Sequence, residues 1–244
     1  MTTKVTGEDR TFDRDGDEIR VHVAQPDDDR LVPGLIIIPD VFGLTDHYRD
    51  VAHRFAAEGF VALVLDLYSR EGTPKLADLE AVFRWISKLP DHRVLGDVRG
   101  AVDYLAARPE VRAESIGITG YCLGGQYTLM SACSVPGIAA AVSWYGMLRY
   151  KEINALKPAS PLDLAPQLRC PYLGLFGAED AIIPVADVDE LRAILERERK
   201  TYEIEVYEGA GHAFFNDTRP DMYRPAVAAA AWDRALRFFR THLR

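Results

Sequence analysis

The chain has 244 residues, 48% of them hydrophobic, and a net charge of −8 from 29 basic and 37 acidic side chains. That size suits one α/β domain, 1–244, with a sizeable core, and the acidic balance excludes nucleic-acid and anionic-membrane binding, which need a basic face. Three cysteines that do not pair evenly, and no run apolar enough for a signal peptide or membrane span, predict a reduced, cytoplasmic protein.

Residues 10–24 alternate apolar and polar about Asp15-Gly16-Asp17, the pattern of an antiparallel hairpin at a sheet edge. Pro26-Asp27-Asp28-Asp29-Arg30 reads as a solvated loop. Leu35-Ile36-Ile37-Ile38-Pro39 is apolar on both faces, as a central parallel strand is, and it ends in the loop Asp40-Val41-Phe42-Gly43-Leu44. A helix is expected from about Asp46 to Glu58, stopped by Gly59, then a buried strand Val61 to Leu65 ending in Asp66-Leu67-Tyr68-Ser69-Arg70. Residues 74–89 predict a helix opening at Pro74, with Leu76, Leu79, Val82, Phe83 and Ile86 on one core-facing stripe. The aromatics Phe83 and Trp85 fit that core face first and a pocket wall second. A further helix is expected from about Leu95 to Ala107.

The next stretch organises the rest. Ser115-Ile116-Gly117-Ile118-Thr119 reads as a buried strand and Gln126 to Ala132 as the start of a helix, with Gly120-Tyr121-Cys122-Leu123-Gly124-Gly125 between them. A sharp strand-to-helix turn about a central residue is the setting of a nucleophile elbow, here G-x-C-x-G. Gly120 and Gly124 must be small for strand and helix to approach. The helix N-terminus behind Cys122 favours thiolate over thiol. A cysteine at such a junction is otherwise a small buried hydrophobe.

Beyond the elbow, strands are expected at Ile138 to Trp144, Tyr172 to Phe176 and Tyr202 to Tyr207, and helices at Val185 to Glu198 and Pro225 to Leu243. Residues 147–169 are poorly patterned and suit a short cap or rim. Strand alternating with helix means an α/β fold with a mostly parallel sheet in three layers, α/β/α. Two strand-end loops then supply titratable groups: Gly177-Ala178-Glu179-Asp180, and Glu208-Gly209-Ala210-Gly211-His212-Ala213-Phe214-Phe215. In a nucleophile–acid–base set, Cys122 attacks a carbonyl, His212 keeps the thiolate and later protonates the leaving group, and Asp180 or its neighbour Glu179 orients the imidazole. The turn into Ile182-Ile183-Pro184 favours Asp180. The backbone N–H groups of Leu123 and Val41 are the expected oxyanion donors.

Six stretches, in order and spread over most of the chain, resemble the dienelactone hydrolase (carboxymethylenebutenolidase) family of the α/β-hydrolase fold. They are Pro39–Leu44, Asp66–Arg70, Gly120–Gly125, Trp144-Tyr145-Gly146, Gly177–Asp180 and Gly209–Phe214. The resemblance implies a triad of Cys122, His212 and Asp180, small esters or lactones as substrates, and no cofactor. Two departures are visible. Asp40 stands where the family has a glutamate that helps activate the thiol, and is one methylene shorter. Asn216 and Leu79 stand at the positions of arginines with which the family grips a substrate carboxylate.

Other side chains admit two readings. Asp40 is a cap for the helix after it or a carboxylate near the thiol. Tyr68 and Arg70 line the pocket or, as in an Asp66–Arg70 pair, hold the structure. Tyr145, Phe42 and Phe214 line the site or merely pack. His22, His47, His53, His92 and His242 read as surface or packing residues, Cys133 and Cys170 as buried fillers, and no spacing suits a metal. The expectation is a monomeric, cysteine-dependent hydrolase of small esters or lactones working through an acyl-thioester on Cys122. A broader short-chain carboxylesterase or thioesterase is the alternative within enzymes, and a ligand-binding or redox-sensing protein on the same scaffold the alternative outside them.

Overall fold

A computed structural model describes residues 4–27 and 30–244. Asp28 and Asp29 of the expected loop, and Met1 to Thr3, lie outside the described residues. Among the described residues eight strands form one sheet in the order β1-β2-β4-β3-β5-β6-β7-β8. The hairpin pairs β1 (Val5–Arg14) with β2 (Asp17–Pro26), and is longer than the alternation predicts because exposed β1 carries little apolar signal. Its turn places Asp15 and Gly16 at φ 54° and 90°, the paired left-handed residues of a two-residue turn that matches strand twist.

β2 runs antiparallel to β4 (Val61–Leu65). From there the sheet is parallel through β3 (Val32–Ile38), β5 (Val111–Tyr121), β6 (Ala140–Trp144), β7 (Tyr172–Gly177) and β8 (Tyr202–Tyr207). β3, β4, β6 and β7 are buried along their whole length, as strands with helices on both faces must be. Parallel pairing puts the carboxyl ends of neighbouring strands side by side: Ile38 is registered with Gly120, Tyr121 with Trp144, and Gly177 with Tyr207. Loops far apart in sequence thus emerge on one rim.

Helices α1 (Asp46–Ala57), α3 (Asp91–Ala106), α4 (Leu123–Ser134), α6 (Val185–Arg197) and α7 (Pro225–His242) fall close to the expected ranges. α1 docks through Tyr48, Val51, Phe55 and Ala56, with Phe55 4.3 Å from the Trp232 ring of α7. Truncating such a buried aromatic removes roughly 3–5 kcal/mol of stability.

The segment 74–89 differs from expectation. α2 spans only Leu79–Ile86, and Asp78 caps it by accepting the Ala81 N–H at 2.7 Å. Pro74 therefore does not open the helix. Of the expected core stripe only Ile86 is buried, whereas Leu79 is 54% exposed. Leu76 and Val82 pack partly against the core and, with Leu79, border a cleft.

The segment 147–169 forms a short helix α5 (Pro161–Leu164) and a 3-10 turn, Ala165–Gln167. It is bolted down by a buried ion pair. Lys157 Nζ donates to Asp91 Oδ1 at 2.6 Å and to the Tyr127 hydroxyl at 2.7 Å, and the Tyr150 hydroxyl also donates to Asp91. Burial, only partly offset by Asp91, lowers the Lys157 pKa. Elsewhere, no helix among the described residues is long and apolar enough to cross a membrane.

Candidate active site

Cys122 sits between the end of β5 and the first turn of α4 with φ 55° and ψ −112°, a conformation that costs a non-glycine residue about 1–3 kcal/mol. Two glycines make the turn sterically feasible. A Cβ on Gly120 would meet the Gly124 carbonyl oxygen at 2.2 Å, and one on Gly124 would meet the Ile38 carbonyl oxygen at 2.0 Å. The elbow is held from below, where the Cys122 N–H donates to the Trp144 carbonyl at 3.0 Å and Gln126 N–H to the Cys122 carbonyl at 3.1 Å. Tyr145 and Ala213 also have positive φ, 40° and 58°, so backbone strain gathers on this rim.

His212 lies in the loop after β8. Its Nδ1 donates to Asp180 Oδ2 at 2.8 Å, and Asp180 Oδ1 accepts the N–H groups of Ile182 and Ile183 at 2.8 and 3.1 Å. The carboxylate is thus oriented at both oxygens, and Asp180 rather than Glu179 is the partner of the imidazole. His212 Nε2 is buried and makes no hydrogen bond of ordinary geometry. The group near it is the Cys122 sulfur. Burial disfavours the imidazolium, yet the Cys122 thiolate and the Asp180 carboxylate outweigh it and lift the His212 pKa to about 10. Sulfur, imidazole and carboxylate therefore form one electrostatic unit. The Tyr145 ring packs edge-on against the imidazole, with centroids 5.3 Å apart.

The loop after β3 supplies the other wall. Asp40 is buried; its Oδ1 accepts the Phe42 N–H at 2.9 Å. Burial raises its pKa against the hydrogen bonds from Phe42 and the Tyr48 hydroxyl and against the nearby Arg219 and His47. It caps its own loop, not α1, whose N-cap is Thr45. Its negative charge acts on Tyr48, Tyr68 and Tyr145, as does that of Cys122, which places Asp40 and the thiol within the same buried polar cluster. The Tyr68 hydroxyl donates to the Val41 carbonyl at 2.8 Å, so buried Tyr68 fixes the loop carrying Val41.

Two expected pocket residues are elsewhere. Arg70 pairs with Asp97 through both terminal nitrogens, at 2.8 and 2.9 Å, and with Asp17; it ties β4 to α3 and the hairpin, and Asp66 pairs instead with Arg20. Phe214 is fully buried behind Tyr145, among Trp144 and Tyr207. Among the histidines read as packing, His47 is buried and bonds Asp217 at 3.1 Å, and buried His22 bonds Asp9 at 2.9 Å. Cys133 and Cys170 are buried fillers, their thiols pushed up to about 12 by burial.

A cleft of about 600 Å³ opens over His212, bordered by Phe42, Leu76, Leu79, Val82, Ile182, Arg219 and Met222 among others. Arg219 was not singled out from the sequence. Its guanidinium lies 4.9 Å from the Phe42 ring centroid, and no carboxylate among the described residues is within ion-pairing distance of it. A basic residue in the loop just beyond His212 was the available signal.

A cysteine at a strand-to-helix elbow, a His–Asp pair from later strand ends and a sheet of this order are the arrangement of the α/β-hydrolase fold. The model of the dienelactone hydrolase family matches residues 19–243, and the chain belongs to that family of lactone and ester hydrolases. It is 38% identical over 228 residues to a Bradyrhizobium protein whose name assigns it as a 2-oxo-3-(5-oxofuran-2-ylidene)propanoate lactonase, covering 93% of this chain and 91% of that one. An Escherichia coli K12 protein bearing the name carboxymethylenebutenolidase is 37% identical over 231 residues, covering 93% and 84%. A crystal structure from Klebsiella pneumoniae, described as a dienelactone hydrolase, superposes with a TM-score of 0.92 at 36% identity, covering 97% and 99%.

Proposed function

We propose that the protein hydrolyses small carboxylic esters or lactones through an acyl-thioester on Cys122. The observation that carries this reading is His212, bound to Asp180 at 2.8 Å through Nδ1 and coupled through its other face to a strained Cys122. The thiolate attacks the carbonyl carbon and forms the C–S bond. Charge builds on the carbonyl oxygen, where the Leu123 and Val41 N–H groups receive it. The C–O bond then breaks, and the imidazolium gives its proton to the departing alkoxide. Neutral His212 next takes a proton from water as that water attacks the thioester, and the acid and the thiolate are released. Asp180 holds the tautomer and stabilises the imidazolium at both stages.

Arg219 takes an anionic group of the substrate. A guanidinium at the edge of the cleft, with no carboxylate among the described residues within ion-pairing distance, supports this, as does the propanoate in the name of the Bradyrhizobium relative. It stands in for the family arginines missing at Leu79 and Asn216. Those same absences favour a second reading, a broader short-chain carboxylesterase or thioesterase on the same chemistry. The test common to both is Cys122→Ala. Turnover of 4-nitrophenyl acetate and of candidate lactones is expected to vanish, and retained turnover would remove the thiol from the mechanism.

A further inference from the structure

The apolar stripe in and just before α2 is only partly covered by the core, against which Leu76 and Val82 pack. Leu76 and Val82 are half-buried and Leu79 is 54% exposed, although all three belong to one face of a segment whose last member, Ile86, is buried. They border the same cleft as His212, and Ile182 and Met222, itself 38% exposed, face it too. Cys122 is not among the residues bordering this cleft, whereas His212 is. In the reaction proposed above the imidazole protonates the leaving oxygen, so a wall beside His212 lies on the leaving group's side. The cleft volume, about 600 Å³, falls in the range that encloses ligands well beyond a bare lactone ring. Exposed leucine and methionine side chains around such a space gain free energy only when an apolar group covers them.

We infer that the preferred substrates carry an apolar alkyl or aryl arm on the alcohol side of the scissile bond, seated against Leu76, Leu79, Val82, Ile182 and Met222. This rests on the thiol hydrolase reading and adds the side and the character of the substrate's larger part. Leu79 is the specificity-determining member: it is the most exposed of the set and begins α2, held there by the Asp78 cap.

The test compares kcat/KM for ethyl, butyl and hexyl acetate, whose leaving alkoxides have nearly equal basicity, with that for ethyl butyrate and ethyl hexanoate. Each methylene partly withdrawn from water contributes a factor of roughly two to three. Hexyl over ethyl acetate is therefore expected to be favoured by about tenfold or more, with little gain along the ethyl acyl series. Leu79→Arg is expected to cut the hexyl-to-ethyl ratio by about fivefold or more, and Leu79→Met to keep it. A flat alcohol series beside thiol-dependent turnover overturns this inference alone, as does a gain confined to the acyl side. Failure to turn over any of these esters or any lactone would overturn the hydrolase reading and this inference with it.

Discussion

His212 joins the burial, strain and charge of the site in one titration. Its pKa is lifted to about 10 because thiolate and carboxylate outweigh the cost of burying the imidazolium. The folded value lies above the ordinary 6.5, so protonation stabilises the fold. That contribution is complete below about pH 6.5, declines through the alkaline range and is gone once the pH passes about 10. An NMR titration of the His212 ring is expected to show a midpoint near 10, moved down by Cys122→Ala and by Asp180→Asn. A midpoint near 6.5 in the unaltered protein would contradict the ion pair. At Arg219 the expected effect is on binding: Arg219→Gln should raise KM for carboxylate-bearing lactones by about ten- to a hundredfold with kcat little changed. An equal change for neutral esters would deny it the anion. The sequence announced Cys122, Asp180 and His212 because each carries a local signature, glycines about the elbow or a turn after a strand. For Arg219 the one signal is a basic residue in the loop just beyond His212, since its place in the cleft comes from the fold of that loop and its stacking on Phe42.

At the scale of elements, α2 and the segment 147–169 are where pattern and structure part. A helical stripe of Leu76, Leu79, Val82, Phe83 and Ile86 reports that one face is apolar; it cannot report whether that face meets a core or a cleft. Cap chemistry decided the start at Leu79, through a single Asp78 hydrogen bond. The segment 147–169 lacks periodicity, and what fixes it is an ion pair 66 residues apart in sequence, Lys157 with Asp91. Both members are nearly inaccessible, so removing one strands the other. Lys157→Met is expected to destabilise the protein by about 3–5 kcal/mol in denaturant unfolding, and the further change Asp91→Asn to recover part of it. A loss below about 1 kcal/mol would mean that the segment is held by its other contacts, among them the Leu156 and Arg169 backbone bonds and the Arg149 ion pairs, and not by Lys157.

For the whole molecule, topology does most of the functional assembly. Pairing β3 with β5 brings the Asp40–Val41 loop beside the elbow, and the run β5-β6-β7-β8 then delivers Tyr145, Asp180 and His212 to the same rim in chain order. Those buried strands were legible as unbroken apolar runs with turn residues after them. Exposed β1 was legible only near its turn, and the first part of β5, where Glu114 and Ala113 are exposed, escaped notice. The central claim concerns the sulfur at the meeting point of these loops. Rapid quenching of the protein with 4-nitrophenyl acetate, followed by peptide mass spectrometry, tests it most directly. A transient acetyl group on the peptide carrying Cys122, formed with a burst of nitrophenol and decaying at the steady-state rate, is the expected result. Steady turnover with no acyl group on that peptide at any time would contradict the account.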